Sequence, residues 1–271
     1  MDVKRNKKRI LIITFSPGGG CASLADAATI LYRRVGYAAD VLDITDPADR
    51  EAATTLELHA DLLLAILPVY AFHLPRPVVD FFTSAQLFAP RSALILGYGS
   101  CGVGAAASEA AELFDVCDTP LFRIMTCPLE HSLAQYAHIR QKLPDSLDTI
   151  GEFLITAARD PVGEIPPAPI MAGLSKIIPS RAIMNVAISA PAFNASKCSY
   201  CNTCYEVCPM GAISSGSPAV DKSRCIRCSA CVKYCPEGAR TMKASPLLAK
   251  YLDKKFASPK VPQEIKRKVR K

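Results

Sequence analysis

Eight of the twelve cysteines fall into two copies of one spacing, C-x2-C-x2-C-x3-C-P. The first copy holds Cys198, Cys201, Cys204 and Cys208, and the second, 27 residues further on, holds Cys225, Cys228, Cys231 and Cys235. A loop that wraps around a bound cluster can place three such thiolates at three corners of an iron–sulfur cubane. The ligand for the fourth corner must then come from elsewhere in the chain. The spacing therefore predicts iron–sulfur chemistry, and the internal repeat predicts it twice.

Zinc sites and disulfide bonds are the alternatives for a cysteine-rich stretch. A zinc site takes four ligands, usually two C-x-x-C pairs or cysteines with histidines, and no histidine follows His138. Disulfides suit short secreted chains, and the basic start of this chain lacks the apolar region and cleavage site of a signal peptide. The four other cysteines are scattered, which favours a reducing compartment. They are Cys21, Cys101, Cys117 and Cys127.

The two runs are similar to those of bacterial two-cluster ferredoxins. Gly211-Ala212-Ile213 and Gly238-Ala239-Arg240 also resemble the short strands of that family. In the family, the fourth cysteine of each run binds the other cluster. The resemblance implies one 4Fe–4S cluster bound by Cys198, Cys201, Cys204 and Cys235. It implies a second cluster bound by Cys225, Cys228, Cys231 and Cys208.

The charge around these cysteines bears on the reduction potential. Residues 197–242 hold six Lys/Arg against three acidic residues, a net charge of +3. Positive charge beside a negatively charged cluster favours its reduced form. We therefore expect a potential less negative than the roughly −400 mV of plant-type ferredoxins.

Residues 10–160 alternate apolar runs with helix-like segments, which is typical of a parallel sheet with crossover helices. Strands are expected at 10–15, 39–44, 61–67, 93–96 and 121–126, and helices from 23 to about 35 and at 47–58, 77–86, 104–114 and 143–159. This predicts an α/β fold with a five-stranded doubly wound parallel sheet, plus a small α+β ferredoxin domain. The expected divisions are 1–160, a proline-rich linker and packing segment at 161–196, the ferredoxin domain at 197–243, and a helical, basic tail at 244–271.

Loops at the carboxyl ends of the strands resemble those of the flavodoxin family. They are Ser16-Pro17-Gly18-Gly19-Gly20-Cys21, Pro68-Val69-Tyr70-Ala71, Gly97-Tyr98-Gly99 and Glu130-His131-Ser132. The chain up to about Met242 resembles flavodoxin–ferredoxin fusion proteins, which implies a flavin mononucleotide (FMN) between the walls of Tyr70 and Tyr98. The flavin-binding residues implied are Ser16, Gly18, Gly19, Gly20, Cys21, Tyr70, Tyr98 and Gly99.

The first loop is the weakest match, because the family typically has Ser-Gly-Thr-Gly-Asn-Thr there. Pro17 has no N–H to donate, and Cys21 replaces a hydroxyl with a poor donor. Ser16 and Ser23 are expected to compensate in part. The alternative is a domain that keeps its fold but has lost the flavin.

Two loop cysteines raise a separate possibility. Cys21 and Cys101 each precede a predicted helix, whose positive end is expected to lower a thiol pKa. Gly99-Ser100-Cys101-Gly102 also resembles a nucleophile elbow with His131 as base, but its spacing departs from G-x-S-x-G, which disfavours a hydrolase. The other histidines are interpreted as ordinary surface or loop residues: His59, His73 and His138.

The basic residues lie at the two ends of the sequence. Residues 243–271 carry a net charge of +8, and residues 1–9 carry a net charge of +4. Because the whole chain carries +7, residues 10–242 carry a net charge of −5. The tail could contact an acidic partner or an anionic surface, although a solvated tail is the simpler interpretation. Nucleic acid is disfavoured as a partner.

These patterns predict an electron-transfer protein that passes single electrons through two 4Fe–4S clusters, coupled to FMN and to redox partner proteins. Whether it is a carrier or a small oxidoreductase stays open. No run of eighteen apolar residues occurs, so we expect no transmembrane segment and a cytoplasmic location. The alternative is a redox-responsive binding or regulatory protein whose flavodoxin-like domain has lost its flavin.

Overall fold

The computed structural model describes residues 7–99, 101–130, 132, 147–159, 180–256 and 262–265. The strands are β1 (Arg9–Thr14), β2 (Ala38–Asp43), β3 (Glu57–His59), β4 (Leu62–Pro68), β5 (Gln86–Phe88), β6 (Ser92–Tyr98), β7 (Leu121–Pro128), β8 (Ala192–Phe193), β9 (Arg240–Thr241) and β10 (Gln263–Glu264). The helices are α1 (Gly20–Arg34), α2 (Pro47–Thr54), α3 (Arg76–Ser84), α4 (Ala106–Val116), α5 (Leu147–Arg159), α6 (Ser180–Ala187), α7 (Thr203–Glu206), α8 (Ala230–Lys233) and α9 (Pro246–Phe256).

The main sheet has the strand order β10-β7-β6-β4-β1-β2, with every pair from β7 to β2 parallel. Numbered among themselves, the five parallel strands run 2-1-3-4-5, which is the flavodoxin-like order. This confirms the expected fold class. The reversal of direction along the sheet lies between β1 and β4, and it opens a crevice at their carboxyl ends.

Successive side chains of the buried strands lie on opposite faces of the sheet and pack into two separate cores. Ile10 and Ile12 face a layer that contains α1 and α5, whereas Leu11 and Ile13 face a layer that contains α3 and α4. β4 is buried along its whole length because helices cover both faces of the sheet. The rigid sheet therefore presents its loops, and the crevice between them, as a fixed platform.

Two helix boundaries predicted from the sequence are wrong. The Asp46 carboxylate caps α2 by accepting hydrogen bonds from the N–H groups of Ala48 and Asp49, but the helix ends at Thr54 instead of residue 58. The segment that follows, β3, pairs in parallel with β5, whose first residue was expected to be helical. Tertiary pairing of these two short strands has overridden the local helical pattern.

The cysteine-rich unit has an internal two-fold symmetry. β8 pairs with β9 through Phe193 and Arg240, and an isolated antiparallel bridge joins Ile213 to Val220. A shift of 27 residues converts Phe193 into Val220 and Ile213 into Arg240, so the two pairings are equivalent. α7 and α8 are related by the same shift. Each pairing joins one repeat to the other. Since β8 lies before residue 197, this unit includes residues that were expected to belong to the linker.

The segments that flank the cysteine-rich unit pack on it. Ile188, just after α6, and Leu252 of α9 are buried with Ile213 and Met242 in one cluster. Of the expected linker and packing segment at 161–196, residues 161–179 lie outside the described residues. α9 lies in the tail that was expected to be helical, 244–271.

β10 then pairs antiparallel with β7, so the tail returns to the edge of the main sheet as a sixth strand that was not expected. The basic residues 266–271 lie outside the described residues. Within the part of the chain that the structure describes, no helix combines the length and the apolarity that crossing a membrane requires.

Candidate functional site

Each of two small cavities in the cysteine-rich unit has four cysteines in its wall. Cys198, Cys201, Cys204 and Cys235 line the first cavity. Cys208, Cys225, Cys228 and Cys231 line the second cavity. Each set combines three cysteines of one repeat with the fourth of the other, which is the grouping that the ferredoxin resemblance implies. All twelve cysteines of the chain are free, so the structure gives no support to a disulfide framework.

The backbone around both cavities is shaped by paired left-handed residues. Tyr200 and Asn202 have φ of 57° and 63°, and their repeat counterparts Arg227 and Ser229 have 55° and 64°. Such conformations cost about 1 kcal/mol or more each outside glycine, and they persist where the surroundings require them. Here they turn backbone N–H groups toward sulfur. The N–H of Tyr200, for example, donates to the Cys198 sulfur at 3.3 Å.

The fourth cysteine of each run receives an equivalent hydrogen bond. The N–H of Ala212 donates to the Cys208 sulfur at 3.2 Å, and the N–H of Ala239 donates to the Cys235 sulfur at 3.3 Å. Hydrogen bonds to sulfur stabilise thiolate charge and tune the potential of a bound cluster. Both repeats thus prepare their cysteines in the same way.

The two cavities differ in exposure. Cys201 is exposed, and the Thr203 hydroxyl beside its sulfur lowers its pKa. Cys228 and Cys231 are buried, and burial raises the pKa of Cys228 above the ordinary range and that of Cys231 to about 12. Buried thiolates need compensating positive charge, which bound iron supplies.

A site for one metal ion has a different geometry. Among the described residues, no group of three or more histidine, cysteine, aspartate or glutamate side chains is arranged to hold a single ion. In a cubane each cysteine binds a different iron, so the sulfurs stand farther apart than the ligands of one ion do. The four cysteines in the wall of each cavity are the donor set that a 4Fe–4S cluster takes.

A cleft of about 1150 Å³ lies at the carboxyl ends of β1, β4 and β6. All eight residues expected to bind flavin line it: Ser16, Gly18, Gly19, Gly20, Cys21, Tyr70, Tyr98 and Gly99. The N–H groups of Gly18 and Gly20 donate no hydrogen bond within the described part of the chain. A side-chain carbon added at Gly18 would meet no atom within 4 Å, so this part of the loop is open. These features fit FMN, with its phosphate at the glycines.

The loop that carries Tyr70 is held in a strained turn. Tyr70 and His73 exchange backbone hydrogen bonds of 2.9 and 3.0 Å across Ala71 and Phe72, whose φ values are 49° and 71°. Two left-handed residues at such a turn normally include glycine or asparagine. His73 is buried, and its Nδ1 pairs with the Glu109 carboxylate. His73 thus lies in a loop, as interpreted from the sequence, but it is not a surface residue, because it is buried and anchors this turn. Among the other histidines, His59 is exposed, and His131 and His138 lie outside the described residues.

Two stretches of the chain, residues 191–214 and 218–241, match the family model of the 4Fe–4S binding domain. Together with the 2-1-3-4-5 sheet, this match decides the architecture. The chain fuses a flavodoxin-like domain to a ferredoxin domain. The expected architecture is confirmed, and a 4Fe–4S ferredoxin domain supports a role in electron transfer.

The chain is similar to several solved structures. Oxidised flavodoxin 1 from Bacillus cereus is 14% identical, with 56% of this chain and 99% of that chain covered and a TM-score of 0.41. Two-electron reduced flavodoxin from Megasphaera elsdenii is 16% identical, with 55% and 98% covered and a TM-score of 0.39. The apo form of an NADH:FMN oxidoreductase, EMOB, is 14% identical, with 57% and 92% covered and a TM-score of 0.41. No curated protein matches the chain.

The prediction of activated thiols in the flavodoxin-like domain is wrong. Cys21 lies in the first turn of α1 but is only 3% exposed, and burial raises its pKa far above the ordinary range. Burial likewise raises the pKa of Cys101 to about 11. Desolvation of the thiolate thus outweighs the helix dipole at Cys21, whereas Cys101 lies five residues before α4 and outside the reach of its dipole.

The ferredoxin domain also contributes to the wall of the cleft, which was not predicted from the sequence. Ser229, Lys233 and Tyr234 line the cleft, together with residues of α6 and α9. A signal was available in the repeat, since the counterpart of Lys233 is Glu206.

Proposed function

We propose that this protein couples a flavin in the cleft of the flavodoxin-like domain to two 4Fe–4S clusters in the ferredoxin domain, and exchanges single electrons with a redox partner protein. The observation that supports this most is the pair of cavities, each lined by three cysteines of one repeat and the fourth of the other. When bound, a flavin converts between two-electron and one-electron carriers and the clusters carry single electrons. The residues of the chain hold, separate and insulate these groups.

The second cysteine set, which contains the buried Cys228 and Cys231, lies on the side of the ferredoxin domain that faces the cleft. Ser229 lines both the cleft and the cavity of Cys228 and Cys231. Tyr70, a wall of the cleft, lies near the Cys228 thiol; burial and, to a smaller degree, that thiol raise the pKa of Tyr70. Tyr70 therefore stays a neutral phenol, and it separates the two sites without adding charge.

The first cysteine set contains the exposed Cys201 and lies toward solvent. Besides Cys201, the neighbouring rings of Tyr200 and Tyr205 are 57% and 44% exposed. Exposed aromatic side chains are enriched at protein interfaces, and short distances favour electron exchange. We infer that a redox partner docks against this end of the ferredoxin domain.

Cofactor stoichiometry tests the proposal directly. Anaerobic purification followed by iron, sulfide and flavin analysis should yield about eight irons per chain, as two cubanes require, with one flavin. Clusters without flavin would favour the alternative, a redox-responsive binding protein. A yield of one or two zinc ions without iron would overturn the proposal altogether.

Paired serine variants test how the cysteines are shared. The double variant C208S/C225S removes two ligands of the second set, so it should lose one cluster and retain about four irons. The matched variant C198S/C208S removes one ligand from each set, so it should damage both clusters. The reverse outcome, with C208S/C225S damaging both clusters and C198S/C208S only one, would show that each repeat binds its own cluster.

A further inference from the structure

A lysine of the ferredoxin domain reaches the glycine loop of the flavodoxin-like domain. Lys233 ends α8, between Cys231 and Cys235, and its Nζ donates to the carbonyl oxygen of Gly18 at 2.7 Å. The next residue, Tyr234, places its hydroxyl 2.9 Å from where a side-chain carbon on Gly19 would lie. The loop expected to hold the flavin phosphate is therefore in direct contact with the ferredoxin domain.

The glycine loop has hydrogen-bond donors of its own but no positive charge. The Ser23 hydroxyl donates to the carbonyl of Gly19 at 3.1 Å, so its proton is engaged. The Ser16 Oγ accepts a hydrogen bond from the N–H of Ala22 at 2.9 Å, which leaves its own O–H able to donate. Of the two serines expected to compensate for the missing threonine and asparagine side chains, Ser16 therefore keeps a donor and Ser23 does not. All of these donors are neutral.

The charge at this point is that of a single ammonium group. Of the described residues that line the cleft, Lys233 is the one lysine or arginine and Glu130 the one carboxylate. The Glu130 carboxylate lies 3.9 Å from Nζ and is 49% exposed, so solvent weakens their attraction. An ammonium group has three donors, and the Gly18 carbonyl takes one of them.

We propose that Lys233 binds the terminal phosphate of FMN and supplies the charge that the loop lacks. The inference rests on the proposed function, since it assumes a flavin in the cleft. Because Lys233 lies between cysteines of both sets, the ferredoxin domain completes the phosphate site across the domain boundary. The site therefore selects a phosphomonoester, and it binds FMN more tightly than riboflavin.

Flavin titration of the cluster-loaded full chain tests this assignment through binding alone. With flavin removed, the wild-type chain is titrated with FMN and with riboflavin, and quenching of flavin fluorescence is measured. K233Q should weaken FMN binding by about 10- to 100-fold, the factor of one charge-assisted hydrogen bond, and leave riboflavin affinity unchanged. K233R keeps the cation and should retain most of the preference for FMN.

The control is K250Q, which removes one exposed lysine of α9 that does not line the cleft. It should leave both affinities unchanged, and iron content should match in all variants. Equal losses for FMN and riboflavin in K233Q, or unchanged FMN affinity, would overturn the role of Lys233 while leaving flavin binding intact. If the wild-type chain binds neither flavin, the flavin part of the proposed function fails as well.

Discussion

Arg240 is the residue through which one repeat of the ferredoxin domain acts on the cysteines of the other. It is 3% exposed, and its guanidinium donates to the Cys204 sulfur at 3.3 Å. The guanidinium also lies over the Phe193 ring, 5.3 Å from the centroid. A buried positive donor at sulfur favours the more negative, reduced cluster, so Arg240 should raise the potential of the first cluster. Its repeat counterpart, Ile213, cannot do the same for the second.

We predict that R240Q lowers the potential of the first cluster most and that of the second to a smaller degree, because burial raises the pKa of Cys231 and the charge of Arg240 partly opposes that rise. The expected shift is roughly 50 mV, the equivalent of about 1 kcal/mol for one electron. Protein-film voltammetry measures it, and the wild-type values also test the expectation of potentials above roughly −400 mV. K222Q, which removes an exposed charge, serves as the control and should shift the potentials far less. A shift to higher potential in R240Q would contradict the role of Arg240.

At the scale of elements, the turn before α3 and the start of α4 hold each other in place. Gly104 has φ of 54°, and a side-chain carbon there would lie 2.9 Å from the carbonyl oxygen of Phe72. That carbonyl also accepts a hydrogen bond from the N–H of Ala106 at 3.0 Å. Glu109 of α4 accepts from the N–H of Leu74 at 2.9 Å. The position of Tyr70, which forms a wall of the cleft, thus depends on Gly104 in another loop.

We predict that G104A destabilises the protein by about 2 kcal/mol or more, through left-handed strain and overlap with backbone. Urea denaturation followed by circular dichroism measures the free energy of unfolding. G151A is the matched variant, because it lies in α5 and meets no atom within 4 Å. It should stabilise the protein by about 0.5–1 kcal/mol, since alanine is the better helix former. Equal effects of the two variants would show that the turn does not constrain Gly104.

At the scale of the whole molecule, the end of the chain ties the ferredoxin domain back to the sheet. β10 pairs with β7, and the N–H of Ile265 donates to the carbonyl of Ile124 at 2.9 Å. Arg123 and Glu264 form an ion pair of 2.6 Å in which both side chains are largely buried. The chain therefore crosses from the flavodoxin-like domain to the ferredoxin domain and returns.

We predict that a chain ending at residue 261 melts roughly 4–8 °C below the full chain, as expected for a loss of about 2 kcal/mol in a protein of this size. Scanning calorimetry measures the difference. A chain ending at residue 265 keeps β10 but lacks six residues, five of them Lys or Arg, and it should melt within about 1 °C of the full chain. If both truncated chains melt equally early, the basic residues and not the strand stabilise the fold.

The sequence by itself determined the features that repeat over short distances. The spacing of the cysteines, the alternation of strands and helices, and the glycines of the first loop are local patterns, so the fold class and the loops of the cleft were predictable from them. The contacts between these features were not predictable, because no local pattern records a contact between residues 215 positions apart, such as Gly18 and Lys233. Tertiary structure alone decided the edge strand β10, the burial of His73 and the raised pKa of Cys21, since burial depends on what packs from elsewhere in the chain.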